Sequence, residues 1–461
     1  DTQLRENYID RIYDTYIDEE DLQKCDKTIC SIADGLEPRP YTSREFMELE
    51  WEHMWTKVWL IGGLVEELPN RGDYITCEMG RESILCVRDN KDKIRAFYNV
   101  CQHRANRLVQ AEKGTAETFS CGYHGWQYAL DGELIYVRDE EDFPQGNPCG
   151  RLRLTEIPCE SWGGFIWYNM DDKCESLTDF LAPHHEHLSV YPLEEMKRTD
   201  WVTIEGNFNW KCVQDNFNES YHIPNVHPQL QYFLDERYQS CQFDLYLNGN
   251  VRMLMPGSIP TPRAEKEEDM IVESLKQDAD FWDMDIESYR GRFKEFRQDL
   301  QKQKRKLSKE KGYDFSLFND DQLTDNYHYG FFPNIYFSMK PDGNIFLRGN
   351  PHPTDPNKCY FDMWYFTWFP KGANEYFSNS MGKYVDIESP VEHLTGKFGE
   401  ISAGPGIDQD VSVWQSQQQG LVSRGFKGDY MPYQERRIRF HHETIDRYID
   451  NSLQNFIKKN S

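Results

Sequence analysis

The sequence contains no run of about eighteen apolar residues, which excludes an apolar membrane-spanning helix. It opens on Asp1-Thr2-Gln3-Leu4-Arg5-Glu6, without the apolar core of a signal peptide. No Gly-x-Gly-x-x-Gly fingerprint is evident, so no dinucleotide-binding turn of its own is expected. Positive charge is in short supply: 52 Lys and Arg stand against 78 Asp and Glu, a net charge of −26. That balance argues against nucleic acid as a partner. The 12 cysteines are scattered along 461 residues and not evenly paired. A disulfide scaffold would be shorter and denser, so most read as reduced thiols. Together these absences lead us to expect a cytoplasmic protein with no membrane and no nucleic-acid partner. The length predicts two or three domains.

Against this background one stretch stands out. Cys101-Gln102-His103-Arg104 is followed by Cys121-Gly122-Tyr123-His124, with seventeen residues between His103 and Cys121. Each pair offers one thiolate and one imidazole. Two such pairs suit a [2Fe-2S] cluster with both thiolates on one iron and both imidazoles on the other, an arrangement that raises the potential above an all-Cys cluster. A tetrahedral zinc site uses the same ligand types and remains the rival. The usual zinc finger, however, keeps its cysteines in one pair and its histidines in the other. Glycines and aromatics crowd the second pair, in Gly122-Tyr123-His124-Gly125-Trp126-Gln127-Tyr128.

Around this motif the chain reads in order. Tyr8, Ile9, Ile12, Tyr13 and Tyr16 recur at helical spacing, and Pro38 and Pro40 end that arm. Ser43 is a candidate N-cap for an amphipathic helix whose Phe46, Leu49, Trp51 and Trp55 would face inward. Short strands follow at 58–61, 73–77, 83–88 and 94–100, then at 127–137 with a turn at Asp131-Gly132, ending near 164–169. His184, His185 and His187 read as a polar surface loop. Residues 265–311 are charged, with Ile271, Leu275, Phe281, Trp282, Ile286, Phe293, Phe296 and Leu300 at amphipathic spacing, and the Lys-rich end is expected to be a solvated face. Strands return at 330–339, 344–349 and 360–368. A long helix is predicted from Arg436 to Ile457.

A second chemical stretch runs from Asn209 to His227. His222 and His227 are five positions apart, a poor spacing on one straight helix, where i and i+4 share a face. Pro224 must break or bend the helix between them. Two histidines and one carboxylate with open positions form the facial triad of non-haem Fe(II) oxygenases, so the third ligand must be an Asp or Glu from elsewhere. Read alone, the pair could equally be one core and one surface histidine.

The two stretches together resemble the Rieske non-haem iron oxygenases, in their large, catalytic subunit. The resemblance implies an α+β fold: an all-β Rieske [2Fe-2S] domain plus a helix-grip catalytic domain, a curved antiparallel sheet around a long C-terminal helix. The implied domains are an N-terminal helical arm at 1–43, the Rieske domain at 44–169 and the mononuclear-iron domain at 170–461, with a charged helical insertion at about 262–315. The family carries an acidic residue three positions before the first of its two iron histidines, here Glu219. Its carboxylate ligand opens a downstream pattern matched by Asp410, Trp414-Gln415, Gln418 and Gly420-Leu421; Asp408 is the rival. The resemblance therefore implies Cys101, His103, Cys121 and His124 as cluster ligands and His222, His227 and Asp410 as ligands of a mononuclear Fe(II).

Glu219 and Asp215 are catalytic candidates on the same grounds. In the family the residue at Glu219 bridges a cluster histidine of one subunit to an iron-site histidine of its neighbour, which implies a homotrimer or larger ring. Glu in place of the commoner Asp resembles the branch acting on quaternary ammonium compounds. The activity implied is that of a terminal oxygenase, with O2 as co-substrate. Its electrons come from NAD(P)H through a separate reductase, with or without a ferredoxin, and the catalytic subunit works with or without a β subunit. The expected substrate is a small organic molecule: an aromatic or other hydrophobic ring to be hydroxylated, or alternatively a quaternary ammonium or N-/O-methyl compound to be demethylated or cleaved. Gln214, Phe217, Met253, Phe337, Trp368 and Phe398 are the expected pocket. An electron carrier with no second iron, or a zinc-stabilised module, are the readings from other classes.

Overall fold

The computed structural model describes residues 36–460. The helical arm expected around Tyr8–Tyr16 lies outside them. The described chain divides into two compact units, Glu48–Phe180 and a larger one that takes in Leu181 onward and the residues up to Met47. No helix among the described residues is long and apolar enough to cross a membrane.

The smaller unit is built of short antiparallel strands, because β-branched and aromatic runs alternate with Gly-, Asn- and Asp-containing turns. A five-stranded sheet contains Asp73–Met79, Glu82–Arg88 and Ile94–Tyr98 at its centre. Trp59–Leu64, Phe165–Asn169 and Cys159–Trp162 form a three-stranded sheet. Thr118–Ser120, Gln127–Ala129 and Leu134–Tyr136 form another. Gly132, at a φ of +87°, turns the last hairpin where Asp131-Gly132 predicted it. A Cβ there would come within 2.5 Å of Phe97, so the turn packs tightly on the core.

Ser43 caps the helix Arg44–Glu50, its Oγ accepting from Phe46 N–H at 3.2 Å. Phe46 is buried and Leu49 half-buried. The main body of the larger unit is an eight-stranded sheet in the order Gln242–Leu245, Val251–Met255, Asn326–Phe331, Ile335–Lys340, Gly343–Pro351, Cys359–Thr367, Lys197–Gly206, His393–Lys397. Every pair is antiparallel except the last. The expected strand at 330–339 is two strands, turned at Phe332-Pro333-Asn334. Proline cannot donate into a ladder, so the chain turns where it stands.

Directly opposed residues share a sheet face. Phe243, Met253, His328 and Ser338 therefore lie on one face, and Arg252, Tyr329, Phe337, Phe346 and Trp364 on the other. The helix Arg436–Ile449 packs with the first face through Arg437 on Tyr336 and Arg436 on Phe243. The predicted C-terminal helix is interrupted: Asn451, at a φ of +58°, separates it from Leu453–Asn460.

Two expectations are corrected. His184–His187 is a short helix and not a surface loop. His184 is fully buried, its Nε2–H shared between the carbonyls of Val251 and Gly330 at 2.9 and 3.1 Å, with Phe331 and Tyr329 edge-on around it. Two backbone acceptors repay the burial of the imidazole. The charged insertion forms Glu268–Phe281 and Phe293–Leu307, and most of its Lys-rich end is exposed as expected. Lys304 is not: it is buried and donates to Asp278 and to the carbonyl of Leu323.

Candidate metal centres

In the smaller unit the two cysteine–histidine pairs occupy two loops with the same hydrogen-bond plan. Cys101 N–H donates to Asn106 O at 2.8 Å, and Ala105 N–H to Cys101 O at 3.1 Å. Cys121 N–H donates to Trp126 O at 2.8 Å, and Gly125 N–H to Cys121 O at 3.0 Å. The fourth residue after each cysteine's position is left-handed, Ala105 at +57° and Gly125 at +73°. Both thiols are buried in the core cluster with Tyr128, Trp126 and Phe119, while both imidazoles are half-exposed.

The two imidazoles meet through Nδ1, 3.2 Å apart, and His103 stacks on Trp126 with ring centres 4.6 Å apart. Tyr128 Oη lies 3.3 Å from Cys101 Sγ and accepts from Gln102 N–H at 3.0 Å. Burial, the nearby His124 and Arg104 hold His103 below its ordinary pKa, which favours the neutral, ligating form. Burial works against the Cys121 thiolate, but backbone N–H groups of Tyr123 and His124 and the Asn106 amide outweigh it and lower the pKa.

In the larger unit Asn209 caps Trp210–Phe217 by accepting from Lys211 N–H. That helix stops at Phe217, and a separate turn, Ile223–Val226, begins after His222. The break therefore precedes His222, not at Pro224. Pro224 sits in the first turn of the new helix, where its missing N–H costs nothing. His222 and His227 flank this turn, with ring centres 5.2 Å apart.

Asp410 arrives on Pro405–Leu421, whose buried stripe is Ile407, Asp410, Val411, Trp414, Gln418 and Leu421. Each fully buried apolar member of that stripe contributes roughly 1.5–3 kcal/mol, so the packing that orders the helix also fixes the carboxylate. Gln418 ties the two helices, accepting from Asn209 N–H at 2.9 Å and donating to Asn357. Asp410 Oδ1 lies 2.8 Å from His227 Nε2 and 3.5 Å from His222 Nε2. The other nitrogens are spoken for. His222 Nδ1–H donates to Glu219 Oε1 at 2.6 Å and His227 Nδ1–H to Gln409 Oε1 at 2.8 Å. Both Nε2 lone pairs are thereby turned toward Asp410. Burial opposes the His222 imidazolium, but Glu219 and Asp410 raise its pKa overall. Asp408 is spent elsewhere, accepting from Ser402 Oγ and Ala403 N–H.

These donor sets can be tested against metals. Among the described residues, groups compact enough for one ion are His222/His227/Asp410 and Asp215/His441/His442. The cluster residues do not form such a group, and their paired imidazoles suit a two-iron rhomb better than a single zinc. The first triad offers two imidazoles and one carboxylate, the set that leaves open positions on ferrous iron. In the second, Asp215 accepts from Tyr41 Oη at 2.5 Å and His442 Nε2 at 3.0 Å, and His441 donates to Pro333 O. Those donors are committed to hydrogen bonds, and Asp215 stands with Tyr41 and His442, not with His222, His227 and Asp410.

The expected pocket residues scatter. Phe217 lies among Trp414, Phe361, Tyr336 and His328, with ring centres 5.7 to 6.3 Å away. Met253 shares the sheet face of His328 and packs with Ile223, the residue after His222. Gln214 is buried and donates to Asn334 O. Phe337 turns to the opposite face, against Phe331 and Phe346. Trp368 packs on Tyr313 and Phe315 beside the insertion. Phe398 is half-buried in the turn bridged to Ile401. Sequence reasoning missed Gln409, Tyr41 and His442, since a neutral amide and distant partners leave no spacing signal.

Residues 193–451 match the family model described as "Ring hydroxylating alpha subunit (catalytic domain)", and residues 58–147 the "Rieske [2Fe-2S] domain". The glycine betaine monooxygenase oxygenase subunit of Pseudomonas aeruginosa (strain UCBPP-PA14) is 33% identical over 196 residues, 42% of this chain and 45% of the relative. The carnitine monooxygenase oxygenase subunit of Escherichia coli (strain K12) is 34% identical over 192 residues, 41% of this chain and 51% of the relative. The matches thus span about half the length of these relatives. Among solved structures, the quaternary ammonium Rieske monooxygenase CntA shares the fold with a TM-score of 0.65 at 19% identity, over 93% of this chain and 98% of that one.

Proposed function

The chain belongs to the family of ring-hydroxylating oxygenase alpha subunits, and from that premise we propose that it is the terminal oxygenase of a multicomponent Rieske system acting on a quaternary ammonium compound. The convergence of His222, His227 and Asp410, with Glu219 on the Nδ1 of His222, carries this reading. When loaded, the cluster supplies single electrons and the ferrous site activates O2. Cys101, Cys121, His103 and His124 would hold the cluster; His222, His227 and Asp410 would hold the ferrous ion.

The remaining steps belong to the side chains. Glu219 fixes the His222 ring through Nδ1 and leaves Nε2 facing the metal, and Gln409 does the same for His227. Phe217, Trp414, Phe361 and the cluster around Ile223 and Met253 supply the aromatic and apolar wall that excludes water from the reacting C–H bond. In this reading Glu219 also accepts from a cluster histidine of a neighbouring subunit in a homotrimer. Reducing equivalents come from NAD(P)H through a separate reductase, with or without a ferredoxin.

The substrate class rests on the Glu at position 219 and on the relatives acting on glycine betaine and carnitine. An aromatic face binds an alkylated ammonium through its ring quadrupole. Hydroxylation of a ring compound is the second reading, favoured by the same wall. The test is reconstitution with a reductase, NADH and O2. Formation of aldehyde from glycine betaine or carnitine, stoichiometric with NADH, supports the first reading; hydroxylated benzoate with no aldehyde supports the second. About three irons per two sulfides are expected in the purified protein, and two irons that added Fe(II) does not raise would leave only an electron carrier.

A further inference from the structure

Behind the aromatic wall stands a buried cation with no ion pair among the described residues. Arg437, in the first turn of Arg436–Ile449, is fully buried. Its Nη2–H donates to Nδ1 of His328 at 3.3 Å, and its guanidinium carbon lies 5.8 Å from the centre of the Tyr336 ring. Its Nε and Nη1 have no hydrogen-bond partner among the described residues. Glu219 and Asp244 act on it only through their field, and no ion pair to it forms among the described residues. Burial lowers its pKa to about 10, so it stays charged at neutral pH. Burial and the Arg437 charge keep His328 neutral, so it does not compensate.

Asn218 is fully buried and its side chain hydrogen-bonds Tyr336. One further buried polar group is unspent: the Nε1–H of Trp414 has no hydrogen-bond partner among the described residues. Asn218 follows Phe217 directly, and Trp414 lies one turn beyond Asp410 on the same helix. Phe217 touches Trp414 on one side and His328 and Tyr336 on the other, the two rings that Arg437 contacts. The unpaired cation and the unspent indole N–H therefore belong to the aromatic enclosure that contains Asp410's helix. A buried charge is ordinarily paired, and one left unpaired is costly. A buried unsatisfied group calls for a partner.

We propose that Arg437 is the anion-recognising element of the substrate site, so that the substrate carries a carboxylate. The carboxylate accepts on the Nη1 edge of the guanidinium, whose planar fork suits it. The oxidisable end of the molecule is left on the Phe217 and Trp414 side, toward Asp410. This rests on the oxygenase reading above and narrows its substrate to small carboxylate-bearing molecules.

Calorimetric titration of the iron-loaded holoenzyme tests it with three probes. Glycine betaine and choline share a trimethylammonium group and differ in carboxylate against hydroxyl; benzoate carries the carboxylate on a ring. Glycine betaine is expected to bind about ten-fold or more tightly than choline, the size of a charge-assisted contact. Arg437→Gln should remove that preference and leave choline unchanged, and Arg437→Lys should restore part of it. Equal binding of glycine betaine and choline by the unaltered protein overturns the proposal, as does a preference that survives in Arg437→Gln with the cluster spectrum intact. If only benzoate binds and Arg437→Gln abolishes it, Arg437's role stands and the quaternary ammonium reading falls. If choline and glycine betaine bind alike in both proteins, that reading stands and Arg437's role falls. If no probe binds, both fall. Should Arg437→Gln not fold, the unaltered protein and Arg437→Lys decide.

Discussion

The loops carrying Cys101/His103 and Cys121/His124 are near copies of each other, closed by the same two backbone hydrogen bonds. The triad is made differently: His222 and His227 flank one short turn, while Asp410 comes from a helix 183 residues beyond His227. A centre built from contiguous turns is set by local backbone conformation. A centre built from distant pieces depends on everything that packs the pieces, here the Ile407–Leu421 stripe and Gln418. The first should tolerate global weakening and the second should not.

The most severe break is expected from Asp410→Ala. It should cost more than about a hundred-fold in turnover, since even partners beyond the ligands are worth 10–100-fold, and leave the visible spectrum of the cluster unchanged. Loss of that spectrum as well would mean the centres are not independent. Gln409→Ala should be gentler, weakening Fe(II) binding about ten-fold through a freed His227 ring, as read by metal titration under anaerobic conditions.

A third test addresses the frame that holds the distant pieces. His441 is buried and neutral, its pKa pushed down to about 3 by burial and by His442. The unfolded chain binds the proton below about 6.5 and the folded chain does not, so stability falls as pH drops from about 6.5 toward about 3. His441→Gln, which can still donate to Pro333 O, should flatten the slope of unfolding free energy by up to one proton in that window. An unaltered slope would place the acid sensitivity elsewhere.

The smallest effect separates the twin loops themselves. Gly125→Ala meets no atom within 4 Å, so its cost is the left-handed backbone alone, about 1–2 kcal/mol. Ala105→Gly relieves the same strain while freeing the unfolded chain, and should leave stability within about 1 kcal/mol. Chemical denaturation followed by cluster absorbance reads both. A larger loss in Ala105→Gly than in Gly125→Ala would show that the loops are not equivalent.

These contrasts also mark what was legible beforehand. The cluster motif needed only spacing, since its cysteines and histidines are neighbours in sequence. The strands around it followed from alternation and turn residues. Asp410 was reached through the family's pattern, not from the residues alone, because nothing in Pro405–Leu421 distinguishes it from a solvated acid until the stripe with Val411 and Trp414 is seen to be buried. Asp215 stood in the right stretch yet turned to Tyr41 and His442, partners hundreds of residues away. Phe337 was aromatic, but strand parity put it on the face opposite Met253 and His328. His184 read as polar and proved to be core, because two strand carbonyls were waiting for a donor.

The duplicated loops store the cluster's shape in amides and not in side chains. Beyond the two cysteines, the two histidines and one left-handed position per loop, the hydrogen-bond plan asks nothing of residue identity. Gln102, Arg104, Gly122 and Tyr123 are therefore free to vary. Arg104 and Tyr123 are exposed at the rim, with the guanidinium 5.5 Å from the tyrosine ring. Evolution, or an engineer, can rewrite that rim to suit a different electron donor or a different redox potential while the cradle keeps its form.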